Sequence, residues 1–161
     1  GVRYELAGKL AGRYGLELQG MKEWELVKYH GVLSIGKVFS EVYANSSIGI
    51  ALLDYIPQCK GTMGNLSNTK FYEYMYAGLP LLCTDFILWK EIIEKEQCGI
   101  CVNPHDVEDI AKSIDYLIEN PEIAKKMGEN GYKAVIEKYN WTTEEARLLE
   151  LYSIILDDND R

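Results

Sequence analysis

The sequence predicts an α/β fold in which a Rossmann-like parallel sheet carries helices on both faces. Short apolar segments alternate with longer segments that have helical spacing across residues 2–156. Residues 48–53 and 81–84 are apolar along almost their whole length, which is typical of strands buried on both faces. Because no repeat or long linker interrupts the alternation, we predict a single domain over residues 1–156 and a polar tail over residues 157–161.

The composition narrows the classes of function. The chain has 161 residues, of which 47% are hydrophobic and 26% are charged, as in ordinary globular proteins. Its net charge of -8 argues against a nucleic-acid partner, since such binding needs a basic surface. Four cysteines in a chain long enough for its own core are more typical of reduced thiols than of disulfides. We therefore expect a cytoplasmic protein.

The first part of the chain is predicted to hold three strands, one helix and two loops. Alternating or continuous apolar residues bounded by glycine predict strands at 2–7, 26–30 and 48–53. Helical spacing of apolar residues predicts a helix at 36–45. Glycine and proline predict loops at 12–20, which forms a poor helix at most, and at 54–66.

The second part is predicted to be mainly helical. A helix that begins at Ser67 or Asn68 ends at Gly78, a good C-cap, before Pro80. Strands follow at 81–84 and 99–102, and further helices at 87–96, 107–119, 121–139 and from Asn140 or Thr142 to 156. Asp85 is interpreted as the cap of the helix at residue 87 rather than as a ligand-binding residue.

The helix that starts near residue 68 combines two features that suit a nucleoside diphosphate. Its first amides, those of Asn68, Thr69 and Lys70, lack partners within the helix and form an anion site. Glu73 lies about 6 to 8 Å further along the axis, where its carboxylate could accept from ribose hydroxyls. The alternative is that Lys70 and Glu73, three residues apart, simply form a surface ion pair.

The segment EYMYAGLPLLCTD at residues 73–85 resembles the hallmark of retaining, two-domain glycosyltransferases of the GT-B type, family 4 or "group 1". WELVKYHGVL at 24–33, CGICVNPHD at 98–106 and KYNW at 138–141 resemble further segments of that family in the same order. The resemblance covers nearly the whole chain. It implies the C-terminal, nucleotide-sugar-binding half of such an enzyme.

The resemblance also implies roles for individual residues. Glu73 matches the family's ribose-binding glutamate, and Leu33 matches the residue whose backbone meets the base. The residues that match the diphosphate-binding helix tip are Ser67, Asn68, Thr69 and Lys70. Asn65 stands where the family has its first motif glutamate, so the catalytic contact of that position with the transferred sugar is in doubt.

A second departure concerns what precedes residue 2. The family's C-terminal half opens with a strand and a basic glycine-rich turn that clamps the diphosphate, whereas residues 2–7 look like its second strand. We therefore expect the chain to be a fragment that is inactive without its N-terminal acceptor domain. The implied reaction is transfer of a sugar from a UDP- or GDP-sugar, in surface polysaccharide or glycoconjugate synthesis, without metal or other cofactor. Peripheral association of the full-length enzyme with the inner face of the membrane is compatible with this role.

A receiver-like signalling module is the alternative from another functional class. Asp54 follows a buried strand, as the phospho-acceptor of a receiver domain does. However, a receiver domain also needs an acidic pair after its first strand, and Gly8-Lys9 stands there instead. A nucleotide-sugar epimerase is not supported either, because no Gly-x-Gly-x-x-Gly follows the first strand.

Overall fold

The structure, a computed structural model, describes residues 2–159, with the side chains of residues 2–156. The chain divides into two compact units, residues 1–47 and 48–161. The predicted α/β class is confirmed, because parallel strands are flanked by helices. The boundaries predicted for one domain over residues 1–156 stay a prediction.

The first unit contains a parallel pair of strands, β1 (Tyr4–Leu6) and β2 (Val27–Tyr29), in which Tyr4 is opposite Val27. Between them lies helix α1 (Gly12–Gly20), where the sequence predicted a loop with a poor helix at most. Two of its glycines stand at its ends, and Gly15 packs on Leu10 so closely that an added Cβ would lie 3.1 Å away. Packing therefore overrides the low helix propensity of glycine.

The segment predicted as a helix at 36–45 is helical but irregular. It starts as a short α-helix, α2 (Ile35–Lys37), continues as a π turn (Val38–Val42) and ends as a 3-10 turn (Tyr43–Asn45). Val42 and Tyr43 are buried, so the changes of winding occur where apolar side chains turn inward.

The second unit contains a three-stranded parallel sheet with β4 in the middle. Its strands are β3 (Gly49–Ala51), β4 (Leu81–Thr84) and β5 (Gly99–Val102), in the order β3-β4-β5. All four residues of β4 are fully buried, as its continuous apolar sequence predicts. The Thr84 hydroxyl is satisfied by the backbone of Leu53, donating to its carbonyl and accepting from its amide, each at 2.7 Å.

Five α-helices complete the described part of the second unit, and the bounds of the first four agree closely with the predicted ones. They are α3 (Thr69–Tyr76), α4 (Ile87–Glu96), α5 (Val107–Glu119), α6 (Pro121–Glu137) and α7 (Trp141–Asn159). Gly78 follows the end of α3 with a φ of 70°, the left-handed conformation expected of a glycine that ends a helix. None of the helices within residues 2–159 combines the length and the apolar character that crossing a bilayer requires.

The last helix differs from its prediction at the C-terminal end. Asn140 caps it by accepting from the amide of Thr143 at 3.0 Å, which is one of the two predicted caps. The helix continues to Asn159, so the tail predicted for 157–161 is helical over its first three residues. Asp160 and Arg161 lie outside the described residues.

Helix α6 approaches the end of α3 through a backbone contact. A Cβ added at Gly128 would lie 2.0 Å from the carbonyl oxygen of Gly78, a distance that no side-chain adjustment can relieve. Gly131, one turn further along α6, is also buried, but an added Cβ there would lie 3.3 Å from the Cβ of Cys98. Only glycine therefore fits at position 128.

We expect Gly128→Ala to lower the free energy of unfolding by about 2 kcal/mol or more, because the backbone of one partner must move. The matched control is Gly131→Ala, for which better helix propensity offsets mild crowding, so that the change stays within about 1 kcal/mol. Urea denaturation followed by circular dichroism measures both variants. Equal destabilisation by the two substitutions would contradict the contact at position 128.

Candidate functional site at the carboxyl edge of the second sheet

The tip of α3 follows the loop after β3, which lies at the carboxyl edge of the sheet, where α/β proteins bind ligands. Asn68 is the N-cap, and its side-chain oxygen accepts from the amide of Lys70 at 3.0 Å. The helix therefore begins where the sequence predicted. The Lys70 amide, however, is not open to an anion as predicted, because the cap already satisfies it.

Lys70 and Glu73 form the ion pair that the sequence left open as an alternative, with Nζ and Oε2 2.8 Å apart. The side chain of Lys70 is 51% exposed and that of Glu73 is 19% exposed. Phe71 and Met75, on the other side of α3, are fully buried and fix its orientation. The Glu73 carboxylate thus lies at the flank of the helix rather than in the core, and its contact with a ribose stays a prediction.

Asn65 is bound into the loop that leads to α3. Its side-chain oxygen accepts from both the amide and the hydroxyl of Ser67, at 3.1 and 2.7 Å. Its side-chain nitrogen donates to the carbonyl of Gln58 at 3.2 Å. Ser67, which the sequence predicted at the diphosphate, therefore lies next to Asn65 in a turn that shapes the approach to the helix.

Residues at the start of α4 contact the same loop, and the sequence did not predict these contacts. The buried indole N–H of Trp89 donates to the carbonyl of Asn65 at 2.7 Å. Phe86 packs on Gly64, where an added Cβ would lie 2.5 Å from the Cβ of Phe86. A tryptophan in the first turn of a helix was the available signal, because the N–H of a buried indole needs an acceptor. The neighbouring sequence does not identify which residue provides that acceptor.

A group of polar side chains from three loops lies at the same edge of the sheet. The Tyr55 hydroxyl donates to Asp85, and Asp54 accepts from the ring of His105 at 3.0 Å. Burial, together with the Asp85 carboxylate, raises the pKa of Tyr55 to about 12. The interpretation of Asp85 as a helix cap is therefore wrong. Phe86 occupies the N-cap position of α4, and Asp85 instead ties the start of the loop to β4.

Leu33, the residue predicted to meet the base, belongs to the first unit. It is half-buried and follows β2 and Gly31, which has a φ of 70°. The carbonyl of Gly31 accepts from the amide of Gly8 at 2.8 Å, so the turns after β1 and β2 are linked. The role of the Leu33 backbone at a base stays a prediction.

The two cysteines of the Cys98-Gly-Ile-Cys101 segment differ in burial, because Cys98 lies in the core and Cys101 is half-buried. Cys98 is fully buried, and burial raises the pKa of its thiol to about 12. The sulfur of Cys101 lies 3.7 Å from that of Cys83, on the neighbouring strand. Across the part of the chain that the structure describes, no three histidine, cysteine or acidic side chains are grouped so that they could hold a metal ion.

A cavity of about 760 Å³ lies elsewhere in the second unit, between α4, β5 and α6. Its lining includes Ile93, Cys101 and Met127 but no residue of α3 or of the loop before it. The cavity therefore does not coincide with the site at the tip of α3. We assign the candidate site to that tip because charged groups and helix amides meet there.

Comparison with known proteins shows a family match over part of the chain. The family model described as "Glycosyl transferases group 1" matches residues 69–134, from the first residue of α3 to the last turn of α6. The MMP alpha-(1->4)-mannosyltransferase of Mycolicibacterium hassiacum is 24% identical over 81 residues, 50% of this chain and 20% of that protein. An uncharacterized glycosyltransferase of Methanocaldococcus jannaschii is 29% identical over 85 residues, 53% of this chain and 22% of that protein.

A solved structure shares the fold along almost the whole chain. Sucrose-phosphate synthase from Thermosynechococcus elongatus superposes with a TM-score of 0.74 at 20% identity, over 96% of this chain and 38% of that one. The chain thus spans well under half of that protein, and the matched residues span about a fifth of the two curated relatives. The resemblance predicted from the hallmark segment is confirmed: the model of the group 1 glycosyltransferases matches residues 69–134, and the chain shares the fold of a GT-B glycosyltransferase.

Proposed function

We propose that the chain binds the nucleoside diphosphate part of a sugar donor, such as a UDP- or GDP-sugar, within a retaining glycosyltransferase. The observation that carries the proposal is the position of Glu73. Its carboxylate lies on the flank of α3, one turn from a helix tip at the carboxyl edge of the sheet and beside the ammonium group of Lys70. The family match begins at the same tip.

The tip of α3 supplies positive polarity for the diphosphate. The amides of Thr69, Lys70 and Phe71 point out of the first turn and lack partners within the helix. Asn68 holds the Lys70 amide until a ligand arrives. A phosphate oxygen is a stronger acceptor than the neutral amide oxygen of Asn68, so exchange of one for the other is favourable.

Lys70 and Glu73 separate when the ligand binds. An ion pair with one partner half-exposed contributes only a few tenths of a kcal/mol, so its loss costs little. In exchange, the ammonium group meets a phosphate and the carboxylate accepts from two neighbouring ribose hydroxyls. Both new contacts are charge-assisted and stronger than the pair that they replace.

We infer that the reaction retains the anomeric configuration and needs no metal. The helix dipole and Lys70 neutralise charge on the departing diphosphate, as preorganised dipoles do in other transferases. The acceptor and a further basic clamp for the diphosphate come from parts of the protein outside this chain. A role in polysaccharide or glycoconjugate synthesis is part of the proposal and rests on association with the family alone.

We expect Glu73→Ala to weaken the binding of UDP or GDP to the chain by about tenfold or more, because charged hydrogen bonds to the ribose are lost. Isothermal titration calorimetry or NMR titration measures the dissociation constants. The matched control is Glu129→Ala, which breaks a Lys–Glu pair of the same i,i+3 spacing on α6. Wild-type affinity in the Glu73 variant, or equal losses in both variants, would contradict the ribose contact.

For the complete protein that contains this chain, we expect transfer from a UDP- or GDP-sugar to give a product with the donor's anomeric configuration. The measurement is NMR of the anomeric proton in the first product formed from a panel of donors with and without EDTA. Inversion at the anomeric carbon would refute the retaining assignment. Loss of activity in EDTA would refute the metal-independent one.

A further inference from the structure

We propose that Asn65 and Trp89 are positioning residues that preset the anion-binding tip of α3, an inference that rests on the proposed function. Asn65 occupies the position at which the family has its first motif glutamate, a residue expected at the transferred sugar. Here its polar groups are turned toward the protein. We therefore assign to this position the shaping of the donor loop instead of a contact with the sugar.

The side chain of Asn65 is committed to its own loop. Its oxygen accepts two hydrogen bonds from Ser67, which uses both lone pairs, and its nitrogen donates to Gln58. The hydrogen bond from Asn65 to Gln58 joins the two halves of the loop, because these residues are seven positions apart. A sugar hydroxyl could bind Asn65 only at the expense of the turn that leads to α3.

Trp89 fixes the backbone of the same residue. Its ring is 1% exposed and packs against Phe71 and Phe86, with centroid distances of 5.0 Å in each case. Its N–H has the carbonyl of Asn65 as acceptor at 2.7 Å. Because a buried N–H without an acceptor costs about 1 to 3 kcal/mol, the ring and the loop hold each other in place.

The positioning contacts extend in sequence to the tip. Trp89 holds the backbone of Asn65, Asn65 holds the amide and hydroxyl of Ser67, and Asn68 next to it holds the amide of Lys70. Phe71 also contacts Trp89, so the indole of Trp89 contacts both the first turn of α3 and the loop before it. A tip held in this way loses little conformational entropy when a diphosphate binds, which strengthens binding.

The test uses Trp89→Phe in the 161-residue chain, which removes the N–H while an aromatic ring stays in the core. Amide hydrogen exchange by NMR should become about tenfold faster at Ser67 and Lys70. The matched control is Asn130→Ala. This change removes the hydrogen bond of 3.1 Å from the Asn130 side chain to the carbonyl of Gln97, and both residues are far in sequence from the loop. Unchanged exchange at Ser67 and Lys70 in the Trp89 variant would overturn the proposal.

Ligand titrations separate this proposal from the proposed function. UDP and GDP should bind the Trp89 variant about tenfold more weakly than the wild type, whereas uridine and guanosine, which lack the diphosphate, should bind both alike. Equal losses for nucleosides and nucleotides would overturn the positioning role. Faster exchange in the variant, combined with no binding of UDP or GDP to the wild type, would support the positioning of the tip and refute donor binding. Asn65→Ala provides a second variant with the same expected results if Trp89→Phe does not fold.

Discussion

The burial of Phe71 and Met75 determines which side chains α3 presents to a ligand. The two residues are four positions apart, so they lie on one face of the helix, and both are fully buried. Lys70 and Glu73 lie on the opposite side because each residue turns the helix by about 100°. The proposed contacts with phosphate and ribose depend on this orientation, since a rotated helix would carry the carboxylate into the core.

The parts of the structure that the sequence predicted are those that local chemistry determines. The bounds of β4, α4, β5 and α5 follow from apolar runs, a capping aspartate and helix-ending residues, all within a few positions of one another. The same holds for the Asn68 cap and for Glu73 one turn inside α3. The family pattern also predicted a glycosyltransferase domain, which the family match and the shared fold support.

The parts that the sequence did not predict depend on contacts between distant residues. Trp89 meets Asn65 across 24 positions, and His105 meets Asp54 across 51. The local sequence predicted Asp85 as a helix cap. In the structure its carboxylate instead accepts from the hydroxyl of Tyr55, 30 positions away. Helix α1 was not predicted for a related reason. Glycine has a low helix propensity, and the sequence does not show that Gly15 packs against Leu10.

The contact between Gly128 and the Gly78 carbonyl also limits how α3 can respond to a ligand. Backbone meets backbone there, so no change of rotamer could relieve crowding at this contact. The C-terminal end of α3 is thus packed directly against α6, whereas the loop before its first turn has no such backbone contact described with α6. If the chain binds a donor as proposed, we expect adjustment to donors of different size in residues 54–68, ahead of the first turn.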